Sequence, residues 1–87
     1  LKLAPDDPFI QDSMGWVLYR MGRNQEGLDY LQQAFKQRPD AEIAAHLGEV
    51  LWALKKREEA KQIWAEALKE HPNNEVLRDT VKRFQSP

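Results

Sequence analysis

Met14-Gly15-Trp16-Val17-Leu18 is written twice in this chain. Thirty-three residues on, the sequence reads Leu47-Gly48-Glu49-Val50-Leu51, with the same small-residue slot and the same apolar frame. The echo stays in register: Gly27 answers Ala60, Leu31 answers Trp64, Ala34 answers Ala67 and Pro39 answers Pro72. Matched positions at one fixed spacing identify an internal repeat. Within a copy, Leu28, Leu31, Ala34 and Phe35 recur at three and four, which is the spacing of a helix and not of a strand.

Punctuation around the repeated stretch sets the elements. Asp7 is an N-cap with Pro8 at the first helical position, so a helix runs from about Pro8 to Met21 and ends on Gly22, which takes a left-handed cap without a Cβ penalty. A second helix starts near Asn24, read as its cap, and runs to about Gln37. Asp40 caps a third from Ala41 to about Leu54, and a fourth follows from about Arg57 to Glu70. Where Gly22 stood, the register now puts Lys55. A Lys at positive φ costs about 1 kcal/mol or more, so this turn is either strained or differently shaped. Asn74 caps a last helix from Glu75 to about Phe84, and Gln85-Ser86-Pro87 should fray.

The opening Leu1-Lys2-Leu3-Ala4 before Pro5 matches the end of each later unit, Gln37-Arg38-Pro39 and Glu70-His71-Pro72. It reads as the last turn of a helix whose body lies upstream, and the chain as a piece of a longer protein. The organisation is therefore all-α: residues 1–7 end a preceding unit, 8–40 and 41–74 are two helical hairpins, and 75–87 are a capping helix with its tail. Lys82 fills the slot held by Gly15 and Gly48, and with Arg78 and Arg83 it suits a solvated end to a stack of repeats.

Packing follows from the small residues. Gly15 with Ala34, and Gly48 with Ala67, are expected where antiparallel helices cross, with Leu18 and Leu31, or Leu51 and Trp64, beside the crossing. Gly27 and Ala60 supply a second small contact. Val17, Met21, Ile43, Val50 and Leu54 point away from their own partner helix and need a neighbouring unit. For Ile43, Val50 and Leu54 that is Tyr30 and Phe35. For Val17 and Met21 it is the helix ending in Leu1 and Leu3, so an apolar surface is expected at the N-terminal side, with self-association as one way to cover it.

Composition narrows the function. Lys and Arg number 13 against 14 Asp and Glu in 87 residues, for a net charge of −1. Duplex binding needs a concentrated basic excess, so nucleic acid is not the expected ligand. There is no cysteine, which excludes disulfides, thiolate zinc sites and a Cys nucleophile. No apolar run has the length of a membrane-spanning helix. His46 and His71 lie on different helices with no His or Cys at ligand spacing, and no phosphate loop or nucleophile elbow is present. No enzyme activity, metal or cofactor is expected.

These features resemble the tetratricopeptide repeat, a helix-turn-helix unit of about 34 residues with the pattern W-x2-L-G-x2-Y…A…F…A…P. The matching residues are Met14, Gly15, Leu18, Gly27, Leu31, Ala34 and Pro39, then Leu47, Gly48, Leu51, Ala60, Trp64, Ala67 and Pro72. The opening Trp is replaced by Gln11 and Ala44. The runs Asp12–Arg20 and Glu42–Leu54 also resemble the last repeats of proteobacterial multi-repeat proteins. Members of that group are often exported and tethered to the envelope as lipoproteins, and some act as adaptors for a periplasmic processing protease. The resemblance implies a protein-binding scaffold, with the bacterial periplasm as its compartment.

In this family the first helix of each hairpin lines a concave groove. Carried onto this chain, the groove face comprises Phe9, Asp12, Trp16, Tyr19 and Arg20, then Glu42, Ala45, Glu49, Trp52 and Ala53, with Val76, Asp79 and Arg83 from the cap. Trp16, Tyr19 and Trp52 near Arg are the composition of binding hot spots. Alternatively the aromatics are buried by upstream repeats or by each other. The Lys, Asn and Arg clamp that grips chaperone tails in this family is absent, since Asp12, Ser13, Trp16, Ala45, His46 and Glu49 stand there. The groove should prefer an extended or helical peptide with apolar anchors and a basic residue facing Asp12 or Glu49. The competing reading is a structural, oligomerising end-piece, with binding done upstream.

Overall fold

Three side-chain caps fix where the chain enters helix. Asp7 Oδ1 accepts from the Phe9 and Ile10 N–H groups at 2.8 and 3.3 Å. Asp40 Oδ2 accepts from Glu42 and Ile43 at 3.0 and 3.4 Å, and Asn74 Oδ1 from Leu77 at 2.9 Å. Each satisfies otherwise unpaired donors of a first turn and contributes about 1 kcal/mol. The computed structural model describes residues 7–85. They form five helices: α1 (Pro8–Arg20), α2 (Asn24–Gln37), α3 (Ala41–Ala53), α4 (Arg57–Glu70) and α5 (Glu75–Gln85). No strand occurs among the described residues. The expected helical turn at residues 1–4, and the tail at 86–87, lie outside them.

The second helix of each hairpin begins differently. Asn24 lies inside α2 and does not cap it; Arg23 holds the cap position without a side-chain cap bond. Arg23 instead clasps Glu26 of the first turn in two hydrogen bonds of 2.8 and 2.7 Å. The tight turn delivers the chain straight into α2. Gly22 sits at φ +86°, its N–H on Tyr19 O, while the Arg23 N–H reaches Leu18 O at 2.8 Å. The α3–α4 turn repeats this bond for bond. Lys55 N–H reaches Trp52 O, Lys56 N–H reaches Leu51 O, and Lys55 takes φ 66°. Of the two alternatives for this turn, strain is the one realised.

The close crossing in the first hairpin is Gly15 on Gly27. A methyl group at Gly15 would lie 2.8 Å from Leu31 Cγ and 2.9 Å from the Gly27 carbonyl oxygen; one at Gly27 would lie 2.7 Å from Gly15 O. The expected pairing of Gly15 with Ala34 is thereby corrected. A short antiparallel turn sets Gly15 opposite Gly27, and Ala34 lies seven residues, about 10 Å, farther along α2. In the second hairpin Gly48 lies under the Trp64 indole and not against Ala67: a Cβ there would collide with Nε1 and Cε2 and sit 2.8 Å from Cδ1. Trp64 is fully buried, and its Nε1 has no hydrogen-bond partner among the described residues.

α3 is the centre of the molecule. It packs on α2, α4, α5 and α1, and Ile43, Ala44, Ala45, Leu47, Val50 and Leu51 are all buried. α5 closes one end with Leu77 and Thr80 buried and Val81 and Phe84 packed on the core. Its Arg78, Asp79, Lys82 and Arg83 face outward. The other end is uncovered among the described residues: Met14, Val17 and Met21 are 45%, 56% and 64% exposed, whereas their counterparts Leu47 and Val50 are 3% and 0% exposed beneath α2.

Candidate functional site

The first helices of the successive units stand side by side, α3 touching α1 on one flank and α5 on the other. Polar links cross each seam. Asp12 Oδ1 on α1 lies 2.8 Å from His46 Nδ1 on α3; a carboxylate can only accept, so Nδ1–H donates. Glu49 of α3 accepts from Arg83 Nη2 of α5 at 2.5 Å. Both pairs are 34 residues apart, acid first and base second. Each seam is thus closed by an acid on one helix and a base on the next.

Aromatic rings fill the same face. Trp16 stacks on His46, with centroids 4.2 Å apart and planes at 25°, and touches Tyr19 at 5.2 Å. The Tyr19 pKa is raised above the usual phenol value, first by burial, then by the charge and hydrogen-bonding influence of the Glu49 carboxylate; Arg83 and Arg20 oppose the shift. Asp12, His46, Trp16, Tyr19, Glu49 and Arg83 therefore form one connected band. Asp12 and Glu49 side chains are only 14% and 13% exposed, while that of Arg83 is 63% exposed.

Other residues of the expected groove separate from this band. Ala45 is 1% exposed and belongs to the core: its methyl group is too short to reach the surface, and so it is removed from the groove lining. Trp52 lies in the seam of α3, α4 and α5, 5.7 Å from Trp64 and 5.9 Å from Phe84, with the Arg57 guanidinium 5.1 Å from its ring centroid. It is half-buried by packing, the alternative raised for the aromatics. Phe9 is 48% exposed and carries Arg38 of the α2–α3 linker 5.2 Å from its centroid. Arg20, Glu42, Ala53, Val76 and Asp79 are exposed. A ligand base opposite Asp12 or Glu49 is not called for, because His46 and Arg83 already occupy those carboxylates. His46 is expected from the sequence only as a polar residue at the groove edge, not as part of the lining. The 34-residue offset from Asp12, echoed by Glu49 and Arg83, is the signal that could have found it.

Among the described residues, no three His, Cys, Asp or Glu side chains gather where they could hold a metal. No helix there is long and apolar enough to cross a membrane.

Residues 18–81 match the tetratricopeptide repeat family model. The chain belongs to the tetratricopeptide repeat family. It is 59% identical over 83 residues to a TPR repeat-containing protein of Pseudomonas aeruginosa, a match covering 95% of this chain. The chain spans 14% of that relative's length. Tetratricopeptide repeats are in general protein–protein interaction scaffolds. The Trp16–His46 band lies on the first helices of this chain's repeats, the helices that line the concave groove in this family.

Proposed function

We propose that this chain is a peptide-binding module whose groove is centred on Trp16, and that it forms the C-terminal part of a longer adaptor. The observation that carries this reading is the Trp16 ring itself. It is only half-buried, held flat by His46 and flanked by exposed Arg20 and Phe9. A pre-positioned aromatic beside Arg has the make-up of a hot spot, and little side-chain freedom is left to lose on binding. The fitting ligand is an extended or helical segment with an apolar anchor for Trp16. Its charge preference comes from exposed Arg20, Glu42 and Asp79, not from Asp12 or Glu49. The resemblance to envelope-tethered lipoproteins supports a periplasmic compartment, which fractionation of cells making the whole protein would test.

Affinity capture by the whole protein, wild type against Trp16→Ala, tests the groove. Loss of a hot-spot aromatic should weaken capture by about thirtyfold. Capture that survives Trp16→Ala would instead support a second reading, in which this piece serves assembly. Met14 and Val17 on α1 and Met21 at its C-terminal cap, exposed in a row, favour that role, as a face for self-association or for another hairpin.

A further inference from the structure

On the side of the molecule away from Trp16, α2 and α4 both pack on α3 but not on each other. A cleft of about 440 Å³ is left between them. Leu47 and Leu51 of α3 form its floor, and Phe35 of α2 and Ile63 of α4 are its walls. Each of these leucines is two positions from Glu49, about 200° around the helix at about 100° per residue, so they face away from Glu49 and the band it belongs to. The cleft is therefore separate from the groove.

Its rim is charged unevenly. α4 contributes Glu59 and Glu66, with Gln62 between them, while α2 contributes Lys36 and Gln32. Glu59 and Glu66 are exposed, and neither has an ion-pair partner among the described residues; the nearby Lys61 pairs with Glu58 instead. Seven helical residues separate the two carboxylates, about 10.5 Å along α4. A second helix matches that distance with residues seven apart, both on one face. An extended strand does not: three residues cover about 10 Å, but its side chains alternate faces.

We propose that this cleft docks an amphipathic helix of a partner protein, its apolar stripe lying between Phe35 and Ile63. Along the border of that stripe facing α4, the partner carries Lys or Arg at two positions seven residues apart, meeting Glu59 and Glu66. The border facing α2 is neutral or acidic opposite Lys36. This is helix-in-groove recognition, with anchors at three- and four-residue spacing.

The test uses two labelled helical peptides that share a Leu stripe and Gln elsewhere, one with Lys and one with Glu at the two border positions. Fluorescence anisotropy with this chain should show the Lys peptide binding about tenfold more tightly, as two exposed charge pairs turned from attraction to repulsion allow. The double variant Glu59→Lys, Glu66→Lys changes only exposed side chains and should reverse the preference. Trp16→Ala should leave both affinities unchanged. Equal binding of the two peptides, binding of neither, or no reversal in the double variant would overturn the proposal. So would loss of binding on Trp16→Ala, which would place the peptide in the groove.

Discussion

Trp16 on α1 lies flat on His46 of α3, ring centroids 4.2 Å apart, while Asp12, one turn earlier on α1, holds the same imidazole through Nδ1 at 2.8 Å. One residue of the second repeat is thus gripped twice by the first. Asp12 fixes the ring's orientation and Trp16 covers its face. The same contact orients Trp16 before any ligand arrives, so the repeat interface and the groove share one side chain.

Trp16 and Trp52 should consequently respond differently to truncation. Trp52→Ala removes a ring packed on Trp64 and Phe84 and should cost about 2–3 kcal/mol. Trp16→Ala loses one aromatic stack, about 1 kcal/mol. Urea unfolding followed by far-ultraviolet circular dichroism measures both. A larger loss at Trp16 would mean that its role is structural.

Gly48→Ala should destabilise the chain by about 2 kcal/mol. Removing a helix-interior glycine gains about 1 kcal/mol, but the new methyl is driven into a fully buried indole, an overpacking cost that exceeds the gain. Adding Trp64→Leu should make Gly48→Ala nearly harmless. A double-mutant cycle with no coupling would rule out this contact.

At the turns, Lys55→Gly should stabilise by about 0.5–1 kcal/mol, because it relieves a left-handed Lys at some cost in unfolded-chain freedom. Gly22→Ala should do the opposite by about 1 kcal/mol, although nothing lies within 4 Å of the added methyl. Shifts in the urea midpoint at constant slope would report both.

Tyr19 makes stability depend on alkaline pH. Its folded pKa lies above the unfolded value of about 10, so the folded state holds the proton more tightly. The stabilisation is complete below about pH 10 and is lost as pH rises through the folded value. Glu49→Gln should lower the folded value but leave it above the ordinary one, since burial is the larger cause. Tyrosinate absorbance in a Tyr30→Phe background reads this directly, and an unmoved midpoint would exclude the Tyr19–Glu49 contact.

Much of this was legible in the chain. Asp7, Asp40 and Asn74 announced their helices because a cap is decided within four residues. The Gly22 and Lys55 turns could be equated because the repeat register aligns them. The sequence marks Gly15 as a point of close approach but does not reveal its partner, since which residue of α2 faces it depends on turn length and crossing geometry.

By itself, then, the sequence determined the all-α hairpin architecture, because helix starts, stops and apolar spacing are local properties repeated at one interval. Only the tertiary structure decided the groove. Ala45 and Trp52 occupy groove positions by register, but the neighbouring helix buries one in the α3 core and wedges the other against Trp64. His46 is an ordinary polar residue by its spacing. It becomes central because α1 sets Asp12 and Trp16 against it, and contacts between residues 34 apart form only once the helices stack.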